Sequence, residues 1–221
     1  MKNKILVWTI PTRVFHWMLA VGFLGAYLSG DFDDYANLHF GLGALVGTLL
    51  LMRIIFGVIG PSYSHFKDFK ISVKSLSKFL RQYFTQNQEF AGHNPLAALV
   101  MLLIMIVGVF TALSGYLYTS YDTDFLEETH ELLANAFLLL VGVHLVGVVA
   151  EQLFHSRQGT LISIFKGKKN SANVAAKLNT FQWIFSVFWI SLALFMFILA
   201  FQMSPNEQKK TKDTHYEKHK D

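Results

Sequence analysis

"THELLANAFLLLVGVHLVGVVAE", residues 129–151, is apolar for most of its length yet carries a histidine near each end. A polar ring in hydrocarbon is costly unless something bonds it. His130 and His144 are 14 residues apart. That is close to four helical turns, so on one helix both imidazoles point the same way, with about 21 Å between their levels. A single helix therefore offers two ligands, one near each membrane face.

The composition places this helix in a membrane. Of 221 residues, 52% are hydrophobic and only 15% charged, against roughly 25% charged in an ordinary globular protein. The chain has no cysteine, which excludes disulfides, thiolate-held iron–sulfur clusters and covalent CxxCH haem attachment. A redox cofactor would have to be held by histidine or methionine. The net charge of +4 sits at particular loops and so reports topology and not nucleic-acid binding. "MKNKILVWTIPTR" at the start is too short in its apolar part, and too broken by Pro11, to be a cleavable leader. Insertion is expected through the first spanning helix.

Crossing about 30 Å of hydrocarbon takes about 20 apolar residues. Five segments qualify, at about residues 14–30, 36–58, 96–117, 129–153 and 181–203. The expected fold is an all-α membrane protein: a four-helix bundle over residues 1–170, a fifth C-terminal transmembrane helix within 171–203, and a charged, disordered tail over 204–221. Lys2, Lys4 and Arg13 precede the first span. Lys67, Lys70, Lys74, Lys78 and Arg81 separate the second from the third, and Arg157, Lys166, Lys168, Lys169 and Lys177 the fourth from the fifth. "GDFDDYAN" and "TSYDTDFLEE", the other two loops, hold no Lys or Arg. The positive-inside rule then puts the N-terminus in the cytoplasm and the C-terminus in the periplasm of a bacterial inner membrane. The tail after Pro205 disagrees, with five lysines against four acids, but a nearly neutral tail weighs little against short loops.

Of nine histidines, four lie within the spans: His16, His39, His130 and His144. In this topology His39 and His130 open helices that run inward, and share the outer level. His16 opens an outward helix and shares the inner level with His144. Depth alone thus sorts them into the pairs His16/His144 and His39/His130. Two stacked pairs are what two six-coordinate b haems require, each iron taking an imidazole from either side. A lone intramembrane histidine has plainer readings, as an interhelical hydrogen bond or a proton relay. Zinc and copper sites usually gather three or more ligands at one point. Arg53 is 14 residues after His39, at the inner level, where a haem propionate is its natural anion and snorkelling to headgroups the alternative. Gly41, Gly43 and Gly47 near His39, and Gly142 and Gly147 around His144, leave room for a flat macrocycle or for close helix packing.

"PTRVFHWMLA", "LHFGLGALVGTLLLMRIIFGVIGPSYSHFKDF", "GHNPLAALVMLL" and "THELLANAFLLLVGVHLVGVV" resemble the successive signatures of the bacterial cytochrome b561 family and the related b-type subunit of nickel-iron hydrogenases, over about residues 8–170. The resemblance implies a four-helix core with two non-covalent b haems on His16, His39, His130 and His144, and electron exchange between the quinone pool and a partner. It also matches Arg53 and the Gly92–Pro95 loop. Phe56 stands where the family usually has tryptophan, and the fifth span is absent from its short members.

Function is expected to be electron transfer across the membrane between quinone and a redox protein, such as a periplasmic cytochrome or a dehydrogenase subunit. A proton-coupled transporter, or an anchor subunit of a redox complex, is the alternative. His93 at the inner face, and Glu131 or Asp122 at the outer, are candidate proton acceptors for quinone chemistry, with helix capping or plain solvation as the simpler readings. "FKDFKISVKSLSKFLRQYF" reads as an amphipathic stretch on the inner leaflet. His65 and His155 read as interfacial loop residues, and His215 and His219 as part of the tail, which could dock an acidic electron carrier.

Overall fold

A computed structural model describes residues 3–61, 63–69, 71–83, 90, 92–121, 123–154, 160–171 and 175–203. Asp122, His155, His215 and His219, and with them the tail, lie outside the described residues. Seven helices and one short ribbon follow in chain order: β1 (Asn3–Leu6), α1 (Ile10–Ser29), α2 (Ala36–Ile59), α3 (Val73–Gln82), α4 (Pro95–Tyr121), α5 (Asp124–Phe154), α6 (Thr160–Lys166), β2 (Lys168–Ser171) and α7 (Thr180–Gln202). The chain is an all-α membrane protein. Among the described residues four helices are long and apolar enough to cross a bilayer: α2 with the 3-10 turn before it, α4, α5 and α7. The 20-residue α1 falls outside this set because Thr12, Arg13 and His16 occupy its opening turns. Helix α5 starts at Asp124, ahead of the apolar run, since its acidic first turn favours a helix N-terminus.

Helix boundaries have local causes. Asn94 accepts from the backbone N–H of Ala97 at 2.8 Å, and Pro95 takes the first position of α4, where no N–H is needed. "GHNP" is thus a helix start. Asn179 and Gln182 form a capping box on α7, and the Gln182 amide also donates to the Ile59 carbonyl at 2.8 Å, tying α7 to the end of α2. Ser72 and Ser75 cap α3 in the same way.

Helix α2 is the centre. Of its most apolar window 44% is buried, against 6% for α5. Leu49 and Leu50, neighbours in sequence, are both wholly buried because they face opposite partners. Leu49 joins Phe15 of α1 and Ala193 of α7, while Leu50 joins Phe23, Met105 and Phe137 of α1, α4 and α5. Lipid gives helices no hydrophobic reason to associate, so close packing at small residues must do it. A Cβ on Gly41 would meet the Phe197 ring at 2.9 Å, and one on Gly108 would meet Leu50 at 2.7 Å. The Trp189 indole N–H donates to the Thr48 carbonyl at 2.8 Å across the α2–α7 contact. Helix α5 packs chiefly on α4, which leaves its histidine-bearing face toward α1 and α2 loosely covered.

Strands β1 and β2 pair antiparallel with Ile5 opposite Lys169. The ribbon brings the start of the described chain, the stretch after α6 and the Phe90 and Gly92 carbonyls together at one end of the bundle. Gly167 holds its turn at φ 76°, a left-handed value that suits glycine, with its carbonyl accepting from Val7 and Trp8 at 2.8 and 3.0 Å. The Trp8 indole donates to the Ser163 hydroxyl at 3.0 Å. Among the described residues, the Lys and Arg side chains outside the long helices fall at this basic end, and Asp31, Asp33, Asp34 and Asp124 at the other.

Candidate functional site

At the acidic end, His39 in the first turn of α2 and His130 in the second turn of α5 lie ring to ring, 5.9 Å between centroids and nearly perpendicular at 86°. Each ring is anchored by Nδ1. That of His39 is 2.8 Å from the Ala26 carbonyl, and that of His130 is 3.0 Å from the Thr111 carbonyl and 3.1 Å from the Ser114 hydroxyl. A carbonyl can only accept, so Nδ1 carries a proton in both rings, which leaves Nε2 as the nitrogen available to a ligand. Glycine admits the His130 ring, since a Cβ on Gly115 would sit 2.8 Å from its Cε1. This is the arrangement in which a backbone carbonyl fixes a ligating imidazole.

At the basic end, His16 of α1 and His144 of α5 are close enough to interact electrostatically. The His16 ring is edge-on to Trp17 at 5.3 Å, and its buried Nδ1 has no hydrogen-bond partner among the described residues. A buried nitrogen of this kind is costly unless a ligand completes it. Gly43, one turn beyond His39, and Gly142 and Gly147 beside His144 face open space, where an added Cβ would meet nothing within 4 Å. Gly41 and Gly47 are packing notches instead, against Phe197 and Ala112. No group of three or more His, Cys, Asp or Glu side chains gathers to hold a bare metal ion among the described residues.

Between the layers, Phe23 of α1 and Phe137 of α5 stack with centroids 4.2 Å apart. Phe137 follows His130 and precedes His144 by 7 residues each, and Phe23 follows His16 by 7. The pair therefore marks the midpoint, about 10 Å along the helix from either layer.

Arg53 is buried and does not snorkel. Its guanidinium lies 5.5 Å from the centre of the Phe66 ring and donates to the Ser64 carbonyl at 3.1 Å. His93, beside it, packs against Trp8 at 4.9 Å and Phe69 at 5.5 Å, so it is no freely solvated loop residue. Desolvation lowers the His93 pKa to about 3, with Arg53, Lys169 and His144 adding repulsion. Between pH 6.5 and 3 the unfolded chain binds a proton there that the folded chain does not, so stability falls as pH falls through that window, by up to about 1.4 kcal/mol per unit. Melting in detergent from pH 6.5 to 4 should show a steeper loss for the wild type than for His93→Gln, and equal slopes would remove this role. Glu131 is exposed on α5, where the structure gives it no enclosed partner, and His65 is half-buried.

Lys169 and Glu151 were not singled out by sequence. Glu151 had a signal: it follows His144 by 7 residues, two turns along one face. Lys169 had none, sitting in "KGKK" like any solvated lysine until the β1–β2 register turns it inward.

The prokaryotic cytochrome b561 family profile matches residues 7–167. A probable Ni/Fe-hydrogenase B-type cytochrome subunit of Rhizobium leguminosarum bv. viciae is 22% identical over 217 residues, covering 76% of this chain and 90% of that protein. No solved structure matches. With a family match that runs from Val7, just after β1, past His16, His39, His130 and His144 to Gly167, just before β2, the chain belongs to the prokaryotic cytochrome b561 family and is a multi-pass b-type cytochrome of electron transfer.

Proposed function

We propose that the chain binds two haem b groups, one in each histidine layer, and carries electrons across the bacterial cytoplasmic membrane between the quinone pool and a redox enzyme. The observation that carries this reading is the outer pair, in which His39 and His130 meet with Nδ1 committed to backbone and Nε2 free. The residues fit the group: two imidazoles per layer would hold its iron, and the open glycine faces leave width beside them. Haem b, when bound, supplies a reversible one-electron iron couple.

The chain does the rest. Ala26 and Thr111 carbonyls hold the outer rings in one tautomer and orientation, which raises their basicity as ligands. His16 and His144 would supply the imidazoles of the inner layer, and Arg53 at the same end would neutralise a propionate. Phe23, Phe137, Leu50 and Met105 exclude water from the middle, keeping the interior of low dielectric. Helix α1 serves as the fifth crossing, the basic end faces the cytoplasm and the C-terminus the periplasm. The core is residues 1–170, and α7 and the tail are added to it. The name of the rhizobial relative supports a hydrogenase or similar dehydrogenase as partner.

Anaerobic addition of duroquinol, a soluble quinol, to the oxidised protein in detergent tests the reading. A sharp reduced α-band should grow in; a coloured protein that stays oxidised would sever the link to quinone, and a colourless one would end the haem assignment.

A further inference from the structure

Among the described residues the buried charged side chains are Arg53, Glu151 and Lys169, and all three lie at the basic end. Arg53 reaches it from α2, Glu151 from α5 and Lys169 from β2. His93 links them: its ring lies 5.5 Å from that of Phe69, which is 6.0 Å from the Arg53 guanidinium, and it follows Gly92, whose carbonyl accepts from Lys169 at 3.4 Å. Lys169 is 5% exposed, yet among the described residues its ammonium donates to the Phe90 and Gly92 carbonyls alone, each at 3.4 Å, the outer limit of a hydrogen bond. An ammonium has three donors, and burying it with such thin satisfaction is costly. Glu151 lies near enough to favour its charge, but Glu151 also accepts from the Asn94 amide at 3.5 Å. Among the described residues, two buried cations around the buried His93 ring thus face one buried carboxylate at the basic end.

The ribbon explains how the lysine gets there. Pairing with Ile5 turns the Lys169 side chain under the bundle while its neighbour Lys168 stays exposed, following the two-residue alternation of a strand. Breaking the register would return Lys169 to water. Its burial is therefore imposed by a tertiary contact and not by local sequence.

We infer that Lys169, with Arg53, forms an oxyanion-holding cluster that receives the carboxylates of the macrocycle bound between His16 and His144. This rests on the haem reading above and adds Lys169 and the β1–β2 ribbon to the binding site. Lys169 is a positioning residue: it touches the rim of the group and never its iron. The same cluster could take a lipid phosphate, which shares the oxyanion chemistry.

Apoprotein reconstituted with haem b or with its dimethyl ester, which lacks both carboxylates, separates the cases. The wild type should hold haem at the His16/His144 layer at least about tenfold more tightly than the ester, judged by spectral titration of His39→Ala protein, where that layer alone is expected to bind. Lys169→Gln should erase most of that preference and Lys169→Arg retain it. Redox titration of the two-haem protein should show one wave moving to lower potential in Lys169→Gln and the other unmoved. Equal wild-type affinity for haem and ester, or a Lys169→Gln protein with unchanged preference and potentials, overturns the inference while leaving the haem reading intact. Binding of neither compound overturns the haem reading itself. Stabilisation by phosphatidylglycerol over phosphatidylcholine that vanishes in Lys169→Gln, with the ester preference unchanged, would assign the cluster to lipid and overturn the inference as well.

Discussion

His130→Ala and His39→Ala are each expected to cut the haem content of the purified protein from two per chain to about one, and both should leave the same residual spectrum. His16→Ala and His144→Ala should also leave about one, with the complementary spectrum. The grouping is the informative part. A bis-histidine iron that loses one imidazole loses half its axial hold, and a non-covalent b haem has no thioether bond to keep it. The outer mutants also lose the ring's hydrogen bond to the Ala26 or Thr111 carbonyl, worth about 0.5–1.5 kcal/mol, while the Ser29 and Ser114 hydroxyls go on donating to those carbonyls. Residual spectra grouping by helix, His130→Ala with His144→Ala, would show that depth is the wrong way to sort these residues.

Phe137→Ala is expected to be the most destabilising single change away from the histidines. The ring is 2% exposed and stacks 4.2 Å from Phe23, and Gly108 exists to admit it, since a Cβ there would lie 2.9 Å from the Phe137 ring. Buried Phe→Ala changes cost about 3–5 kcal/mol, because the cavity only partly collapses. In a chain of this length that corresponds to a melting temperature lower by about 10 °C. Gly108→Leu approaches the same contact from the other side, forcing the ring out instead of deleting it, and should also destabilise. Phe137→Leu should recover more than half the loss. Haem content should survive in Phe137→Leu, as the pair lies between the layers and touches neither axial nitrogen. A Phe137→Ala protein melting within about 2 °C of wild type would mean that α5 is held by α4 alone.

The helices were legible because each is a long apolar run with visible ends: Pro95 after Asn94, Asn179 ahead of α7, Gly60 and Pro61 closing α2. The histidine positions were legible for a related reason, since spacing along a helix translates directly into depth. The His39–His130 contact was within reach of that arithmetic; its hydrogen bonds to Ala26 and Thr111 were not, because they depend on how far α1 and α4 are rotated about their own axes. Arg53 was placed at the right level, but hydropathy could not distinguish snorkelling from the Phe66 and Ser64 contacts that hold it. The ribbon left no trace, as "NKIL" and "KKNS" are four-residue strands of unremarkable composition that become strands only by meeting each other. Lys169 and the enclosure of His93 are consequences of that meeting, so they were invisible for the same reason. Helix α1 shows the converse limit, its Thr12, Arg13 and His16 diluting a hydropathy signal in a helix that packs along α2 as α4 and α7 do.

The central claim is one iron porphyrin in each histidine layer. Its most direct measurement is the pyridine haemochrome assay on the purified, haem-replete protein set against quantitative amino-acid analysis. The account predicts haem b at two per chain, both low-spin by electron paramagnetic resonance; a ratio of one, or a high-spin signal from either layer, would contradict it.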